Sequence, residues 1–330
     1  MKTQCKQTQK ERLMPDLKHL PLPAGLVADA DVAPAAVIAF TEGPAVDAEG
    51  NVFFSDIQNN RIMKRSAEGA LSIWRADSGR ANGNMFDAQG RLVTCEGAEF
   101  GPGGRRRITR TDVRTGAVEV LTDRFEGKRY NSPNDLAIDN AGRIYFTDPR
   151  YGDQTGRELD VEGVYRIDPD GGVTRVLQQP AIQKPNGIAL SPDNRTLYLV
   201  DSSPAPGGAR KIWAFDIAPD LSLSGQRVVF DFAPGRGGDG MRTDVNGNLW
   251  IAAGVHRARN PNETTEVPTG IFVVSPKGEM LGRIPIPEDA ITNLAFGGPD
   301  LRTLYIVAGK TLFSIRVNVA GHVVYPKPRA

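Results

Sequence analysis

Six residues bearing a side-chain oxygen recur at one position of a repeated hairpin: Glu42, Asn82, Asn134, Asn186, Asp239 and Asn293. They stand 40, 52, 52, 53 and 54 residues apart, and one register follows each of them. A turn begins five residues on, at Asp47, Asp87, Asp139, Ser191, Asp244 and Gly298. A second strand begins nine residues on, at Asn51, Arg91, Arg143, Arg195, Asn248 and Arg302. Asn and Asp at such corners often bond the local backbone, which accounts for the four amides. It does not account for two carboxylates, Glu42 and Asp239, with no evident basic partner nearby in sequence. Carboxylates that converge repel unless a cation sits between them, and oxygen donors without thiolate or imidazole suit a hard divalent ion. The expected ion is Ca2+, with Zn2+, Mg2+ and Mn2+ as alternatives.

For six such distant residues to meet, the chain must close into a ring. A third apolar strand follows each hairpin, as at Arg61-Ile-Met-Lys64 and Gly270-Ile-Phe-Val273, and a fourth follows most, as at Leu71-Ser-Ile-Trp74. Four short antiparallel strands repeated six times describe an all-β, six-bladed β-propeller. Each recurring oxygen then starts the innermost strand of its blade, so all six surround one end of the central channel. A linear solenoid would need polar capping repeats. The chain instead carries a spare strand at either end, at 36–40 and at 323–325, one of which should complete the last sheet. Residues 1–34 are expected to be an N-terminal extension and residues 35–330 a single propeller domain.

Composition agrees, since 36 Gly and 24 Pro in 330 residues favour many short strands joined by turns. A net charge of +1 recruits neither nucleic acid nor an anionic membrane. The run Arg105-Arg106-Arg107 is read as a solvated edge or local salt links. Two cysteines, Cys5 and Cys95, exclude a disulfide scaffold, and Cys95 reads as a small buried strand residue. The first 23 residues lack the apolar stretch of a signal peptide, and no run of 18 apolar residues occurs. A cytoplasmic protein without membrane association is the expectation.

A hairpin returns to the end where it began, so the chain emerging after Asp56, Glu96, Asp148 and Asp201 surfaces beside the oxygen ring. Long loops follow, at 97–104, 149–162, 202–209 and 254–269, and loops on one rim of a rigid scaffold build pockets. Arg150, Tyr151 and His256 lie in these loops as candidate substrate contacts. Asp56, Glu96, Asp148 and Asp201 read as acceptors that pin the loops. Residues 235–240 match G-x-G-x-x-G but lead into a strand where a dinucleotide site requires a helix, so the match is read as accidental. No G-x-S-x-G or H-E-x-x-H occurs.

The stretches EGP (42–44), NSPNDLAID (131–139), YFTDPRYG (145–152), PNGIALSPDNRTLY (185–198) and GDGMRTDVNGNLW (238–250), together with those at 162–168 and 292–306, carry a resemblance. Over roughly residues 35 to 317 the chain resembles the gluconolactonase branch of the SMP-30/gluconolactonase/luciferin-regenerating-enzyme family. The resemblance implies a six-bladed propeller with a divalent cation, commonly Ca2+, at the top of its channel. It assigns the metal to Glu42, Asn186 and Asp239. Asn134 is similar to a residue that binds substrate or a metal water, and that ligates directly in phosphotriesterase relatives. The chain departs from the family's pattern at Cys95-Glu96-Gly97, where relatives often read Cys-Glu-His. It departs again at Ser132, where animal members carry a substrate-contacting Arg, and in the longer segment 256–269.

Together these readings predict a metal-dependent lactonase acting on a sugar lactone. The cation would polarise the ester carbonyl, and Asp239 would accept the proton of the attacking water. Ligation lowers a carboxylate's basicity, so this role requires a water acidified by the same metal. Asn134 and Asn82 would orient sugar hydroxyls or the water, with Tyr151 and Arg150 at the rim. The rivals are a phosphotriesterase built on the same metal and a non-catalytic propeller with structural calcium.

Overall fold

The recurring register is the signature of a turn that caps itself. In the computed structural model, which describes residues 20, 22–28, 32–37, 39–101, 103–259 and 261–328, Asp47 accepts the backbone N–H and side-chain amide of Asn51 at 2.8 and 2.7 Å. Asp139 accepts the backbone N–H and Nε of Arg143 at 2.9 and 2.6 Å. Asp87 does the same with Arg91, and Asp244 with Asn248. The residue before the second strand in these four turns is a glycine with φ between +75° and +88° (Gly50, Gly90, Gly142, Gly247), a conformation that a side chain would strain.

Six four-stranded antiparallel sheets result, and no helix occurs among the described residues. Their inner strands are Thr41–Val46, Ala81–Phe86, Leu136–Ile138, Pro185–Leu190, Gly238–Thr243 and Ile291–Gly297. The sheets form a ring, the six-bladed β-propeller that the repeats predict. Of the two spare ends, the N-terminal one closes it: Ala33–Val37 pairs antiparallel with Thr311–Arg316 as the outermost strand of the sixth blade. The C-terminal segment has another place. His322 N–H donates to Thr243 O, and the Tyr325 ring lies 5.6 Å from that of Phe86, at the turn end of the hairpins and so across the far mouth of the channel.

Hydrophobic packing lies between blades. Tyr198, Val200 and Ile212 of the fourth blade meet Met241, Ile251 and Phe272 of the fifth, whose opposite face sends Trp250 and Ile271 against Leu294, Ile306 and Phe313 of the sixth. Because both faces of a blade are covered, a middle strand such as Leu249–Ala253 is apolar at every position rather than at alternate ones. Each such large side chain contributes roughly 1.5–3 kcal/mol on burial, which makes the ring a stiff frame for its rim.

Cys95 is buried and free, as its strand position suggests. The arginine run makes local contacts: Arg105 and Arg107 pair with Glu96, and Arg105 also with Asp77. Arg106 is not solvated but buried, donating to the carbonyls of Tyr130 and Gly156. Cys5 and nearly all of the N-terminal stretch that bears on localisation lie outside the described residues.

Candidate active site

Five of the six inner strands break their ladder where the oxygen-bearing residue stands, and in the third blade Asn134 precedes the strand Leu136–Ile138. The pairing register shifts between Glu42 and Ala45, Ala81 and Asn84, Pro185 and Ile188, Gly238 and Met241, and Ile291 and Asn293. Such bulges bend a strand and re-aim a side chain. Here they turn the side chain toward the channel mouth. In four blades the next residue is glycine because the neighbouring inner strand passes against it. A Cβ on Gly43 would lie 2.2 Å from Asn82 O, one on Gly83 2.6 Å from Asn134 O, and one on Gly187 2.2 Å from Asp239 O.

The carboxylates at the ends of the second strands hold the segments that lead into these positions. Asp148 accepts the N–H groups of Asn131 and Ser132 at 2.7 Å each, and Asp201 those of Gln183 and Lys184 at 2.9 and 2.6 Å. Asp56 accepts from Phe40 N–H and from Arg61, and Glu96 is held by Arg75, Arg107 and Thr109. Asp56, Asp148 and Asp201 are the pins that the sequence suggests, whereas Glu96 is held by side chains of the strands Leu71–Ala76 and Arg107–Thr111.

Glu42, Asn82, Asn134, Asn186 and Asp239 line one pocket of about 330 Å3 at this mouth. The sixth residue of the ring does not join them. Asn293 Oδ1 accepts Leu294 N–H, and its Nδ2 reaches Glu42 Oε2 and Asp135 Oδ2 at 3.3 Å each. It is a brace beneath the pocket. Asp135 in turn forms a buried ion pair with Arg242 at 3.0 Å, in the channel between the pocket and the C-terminal segment.

The long loops complete the walls. Glu99 and Phe100 come from the first, Tyr151 from the second, Ser202 and Pro204 from the third, and Arg259 and Glu263 from the fourth. Tyr151 stands as the sequence suggests, its hydroxyl accepting from Asn186 Nδ2 at 3.0 Å and donating to Ser202 O at 3.4 Å. Arg150 does not line the pocket: its guanidinium is spent on the carbonyls of Asp153, Asn131 and Thr155 and staples its own loop. His256 is likewise outside, with Nε2 2.9 Å from Ile286 O.

The expectation that Asp239 lacks a nearby base is corrected by Arg236, three residues before it. Its Nη2 donates to Asp239 Oδ2 at 2.5 Å, while Nη1 donates to Gly254 O and Ile291 O at 3.2 and 2.9 Å. The glycine-rich stretch 235–240 is therefore not idle sequence. It leads into the strand Gly238–Thr243 rather than the helix a dinucleotide site requires, and it brings this arginine beside its carboxylate. Spacing alone could have found it, since i and i+3 flank one bulge.

Burial pushes the Glu42 carboxyl well above the usual carboxylate range, and the charges of Asp239 and Asp135 add to this. Burial also raises Asp239, against the pull of Arg236, Arg259 and Asn186. Two neighbouring carboxyls, one of which raises the other, would favour a cation between them. Asn82 Oδ1 is buried with no hydrogen-bond donor among the described residues, and the Asn134 side-chain amide bonds none of them. Asn186 commits its nitrogen to Tyr151 and keeps Oδ1 uncommitted. No group of three or more His, Cys, Asp and Glu gathers among the described residues; the oxygens at hand are the carboxylates of Glu42 and Asp239 and the amides of Asn82, Asn134 and Asn186, a set that would fit a hard divalent ion.

Fold and site together define a propeller with an oxygen-lined, arginine-flanked pocket at one mouth of its channel. The chain belongs to the SMP-30/gluconolactonase/LRE-like family, whose model matches residues 40–310. It is 32% identical over 306 residues to a gluconolactonase of Zymomonas mobilis, across 86% of this chain and 80% of that one. It is 30% identical over 264 residues to the pentonolactonase XacC of Haloferax volcanii, across 78% and 77%. The solved structure of a gluconolactonase from Xanthomonas campestris superposes with a TM-score of 0.74 at 33% identity, covering 89% of this chain and 92% of the other.

Proposed function

We propose that this protein is a carboxylic ester hydrolase that opens a sugar lactone in the channel-mouth pocket. The observation that carries the reading is Asp239, lining the pocket and held by Arg236, in a chain whose relatives over most of its length are named lactonases. About 330 Å3 is the size of site that takes a single small ring. Its amides, carboxylates and arginines suit hydroxyl groups and Phe40, Ile57, Phe100 and Pro204 add an apolar wall for the ring, where an organophosphate would call for a larger apolar site.

The donor set supports metal dependence. Glu42, Asn186 and Asp239, with Asn134 as a further oxygen, would hold a divalent cation, Ca2+ first by its preference for carboxylate and amide oxygens. Such an ion supplies Lewis-acid polarisation of the ester carbonyl. The chain's own residues do the rest. Arg236 fixes Oδ2 of Asp239 and leaves Oδ1 to take a proton from the attacking water as its oxygen bonds to the carbonyl carbon. That proton is returned to the ring oxygen as the ester C–O bond breaks, giving the open-chain sugar acid. Asn82 and Asn134 orient the water or the sugar hydroxyls, and Tyr151, fixed by Asn186 and Ser202, shapes the wall.

Proton release on adding glucono-1,5-lactone, measured at constant pH against an enzyme-free blank and with or without EDTA, tests this. Turnover above the blank that EDTA removes is the expected result. Turnover unchanged by EDTA overturns the metal, and none with a panel of 1,4- and 1,5-lactones overturns the lactonase.

A further inference from the structure

Seven arginines are buried among the described residues, and six of them spend their guanidinium on at least two acceptors each. Arg210 is the exception. It opens the strand Arg210–Ile217 in the fourth blade, is 6% exposed and lines the pocket. Of its five N–H donors only one is used, by Nη1 to Ala209 O at 3.2 Å. No carboxylate among the described residues pairs with it.

Its neighbours sharpen the imbalance. A Cβ on Gly237 would come within 3.2 Å of both Cα and Cδ of Arg210, so its stem lies against the segment that carries Arg236 and Asp239. The wall carboxylate Glu263 already serves Arg259, whose backbone N–H donates to Oε2 at 2.8 Å and whose guanidinium stands 3.6 Å from Oε1. Arg236 and Arg259 thus hold Asp239 and Glu263, and neither carboxylate bonds Arg210. Burial pulls the pKa of Arg210 down from the ordinary value and Arg236 adds to this, against the opposing charges of Glu263, Tyr151 and Asp231. Sugar hydroxyls could take its hydrogen bonds but not its charge.

We propose that Arg210 recognises an anionic substituent on the substrate, so that the lactone opened here carries a phosphate, sulfonate or carboxylate in addition to its ring ester. The planar, forked donor set of arginine matches such a group in bidentate fashion. The substrate class rests on the lactonase reading; the anion site itself does not.

The test compares glucono-1,5-lactone with 6-phosphoglucono-1,5-lactone and 6-deoxy-6-sulfoglucono-1,5-lactone, each against its spontaneous rate. The wild type is expected to show at least a tenfold higher kcat/KM on one of the two anionic lactones than on the neutral one. Arg210→Met should lower that ratio at least tenfold, with Arg210→Lys retaining part of it. Equal or lower kcat/KM on both anionic lactones, or a ratio untouched in a folded Arg210→Met, overturns the proposal. Should the variants not fold, or should no lactone be opened, calorimetry on the wild type decides: 6-phosphogluconate should bind at least tenfold more tightly than gluconate, and equal affinity overturns the site. Failure of catalysis with retained preference for the phosphorylated acid would sink the lactonase reading alone.

Discussion

Arg236 and Asp239 form a partly buried pair across 2.5 Å, with the arginine anchored in turn on the carbonyls of Gly254 and Ile291. The pair belongs to the fifth blade, but Ile291 begins the inner strand of the sixth, so the carboxylate is fixed by a contact that spans two blades. Asp239→Asn removes the proton acceptor and should cost about 10²–10⁴ in kcat. Arg236→Met leaves the acceptor but frees its orientation, and should lower kcat at least tenfold with a smaller change in KM. Steady-state kinetics of both variants check this. Full activity in Asp239→Asn would remove the assigned role.

The charge of Asp239 adds to burial in pushing the Glu42 carboxyl upward, which gives a bound cation two opposite signatures. Ca2+ at a hundredfold excess over its Kd should stabilise the wild type by about 2.7 kcal/mol, because it binds the folded state alone. Glu42→Gln relieves the repulsion, so the EDTA-treated variant should melt above the EDTA-treated wild type while losing most of the calcium-induced shift. Thermal melts of the two proteins in EDTA and in Ca2+ decide the matter. Equal calcium shifts in both would take Glu42 out of the donor set.

The fold was legible because self-capping turns leave a residue at a fixed offset, and Asp47, Asp87, Asp139 and Asp244 mark that offset whatever the rest of the blade contains. The ring of oxygens was legible for the same reason. What escaped is set by packing between blades. Whether Asn293 faces the pocket or braces Glu42 depends on which amide atom Leu294 N–H claims, a contact that no spacing encodes. Arg150 has the type and loop position of a substrate contact, yet three backbone carbonyls of its surroundings take its guanidinium. Asp135 and Arg242 stand 107 residues apart and meet only because the ring closes.

Close approach at the channel predicts that two glycines of similar appearance tolerate alanine differently. A Cβ on Gly187 would lie 2.2 Å from Asp239 O and 2.9 Å from the Cα of Gly240, so Gly187→Ala must push the fifth inner strand outward. A loss of about 1–3 kcal/mol is expected from such overpacking, with activity falling as Asp239 moves. Gly142, at a turn with φ of +82° and nothing within 4 Å of its Cβ position, should cost about 1 kcal/mol through backbone strain and leave kcat alone. Urea unfolding and kinetics on both variants make the comparison. Unaltered activity in Gly187→Ala would show that the inner strands slide freely past one another.

Asp148 supplies a pH test away from the pocket floor. It is fully buried, and burial pushes its carboxyl up to about 7 even though the N–H groups of Asn131 and Ser132 pull the other way. An unfolded chain would titrate it near the ordinary value of about 3.9. Between those two values the folded state binds the proton and the unfolded state does not, so this residue's contribution is complete below the lower value and is lost as pH rises through the upper one. Asp148→Asn cannot titrate. The unfolding free energy of the variant should therefore gain on that of the wild type as pH rises from 5 to 7, by at most about 1.4 kcal/mol per unit, and stay level above about 8. At pH 5 the variant should be the less stable of the two, because an amide cannot offer two acceptors to two converging N–H groups. Urea midpoints at pH 5, 6, 7 and 8 give the difference directly. A gap between the two proteins that is constant across that range would mean Asp148 is ionised throughout and that its two N–H bonds outweigh its burial.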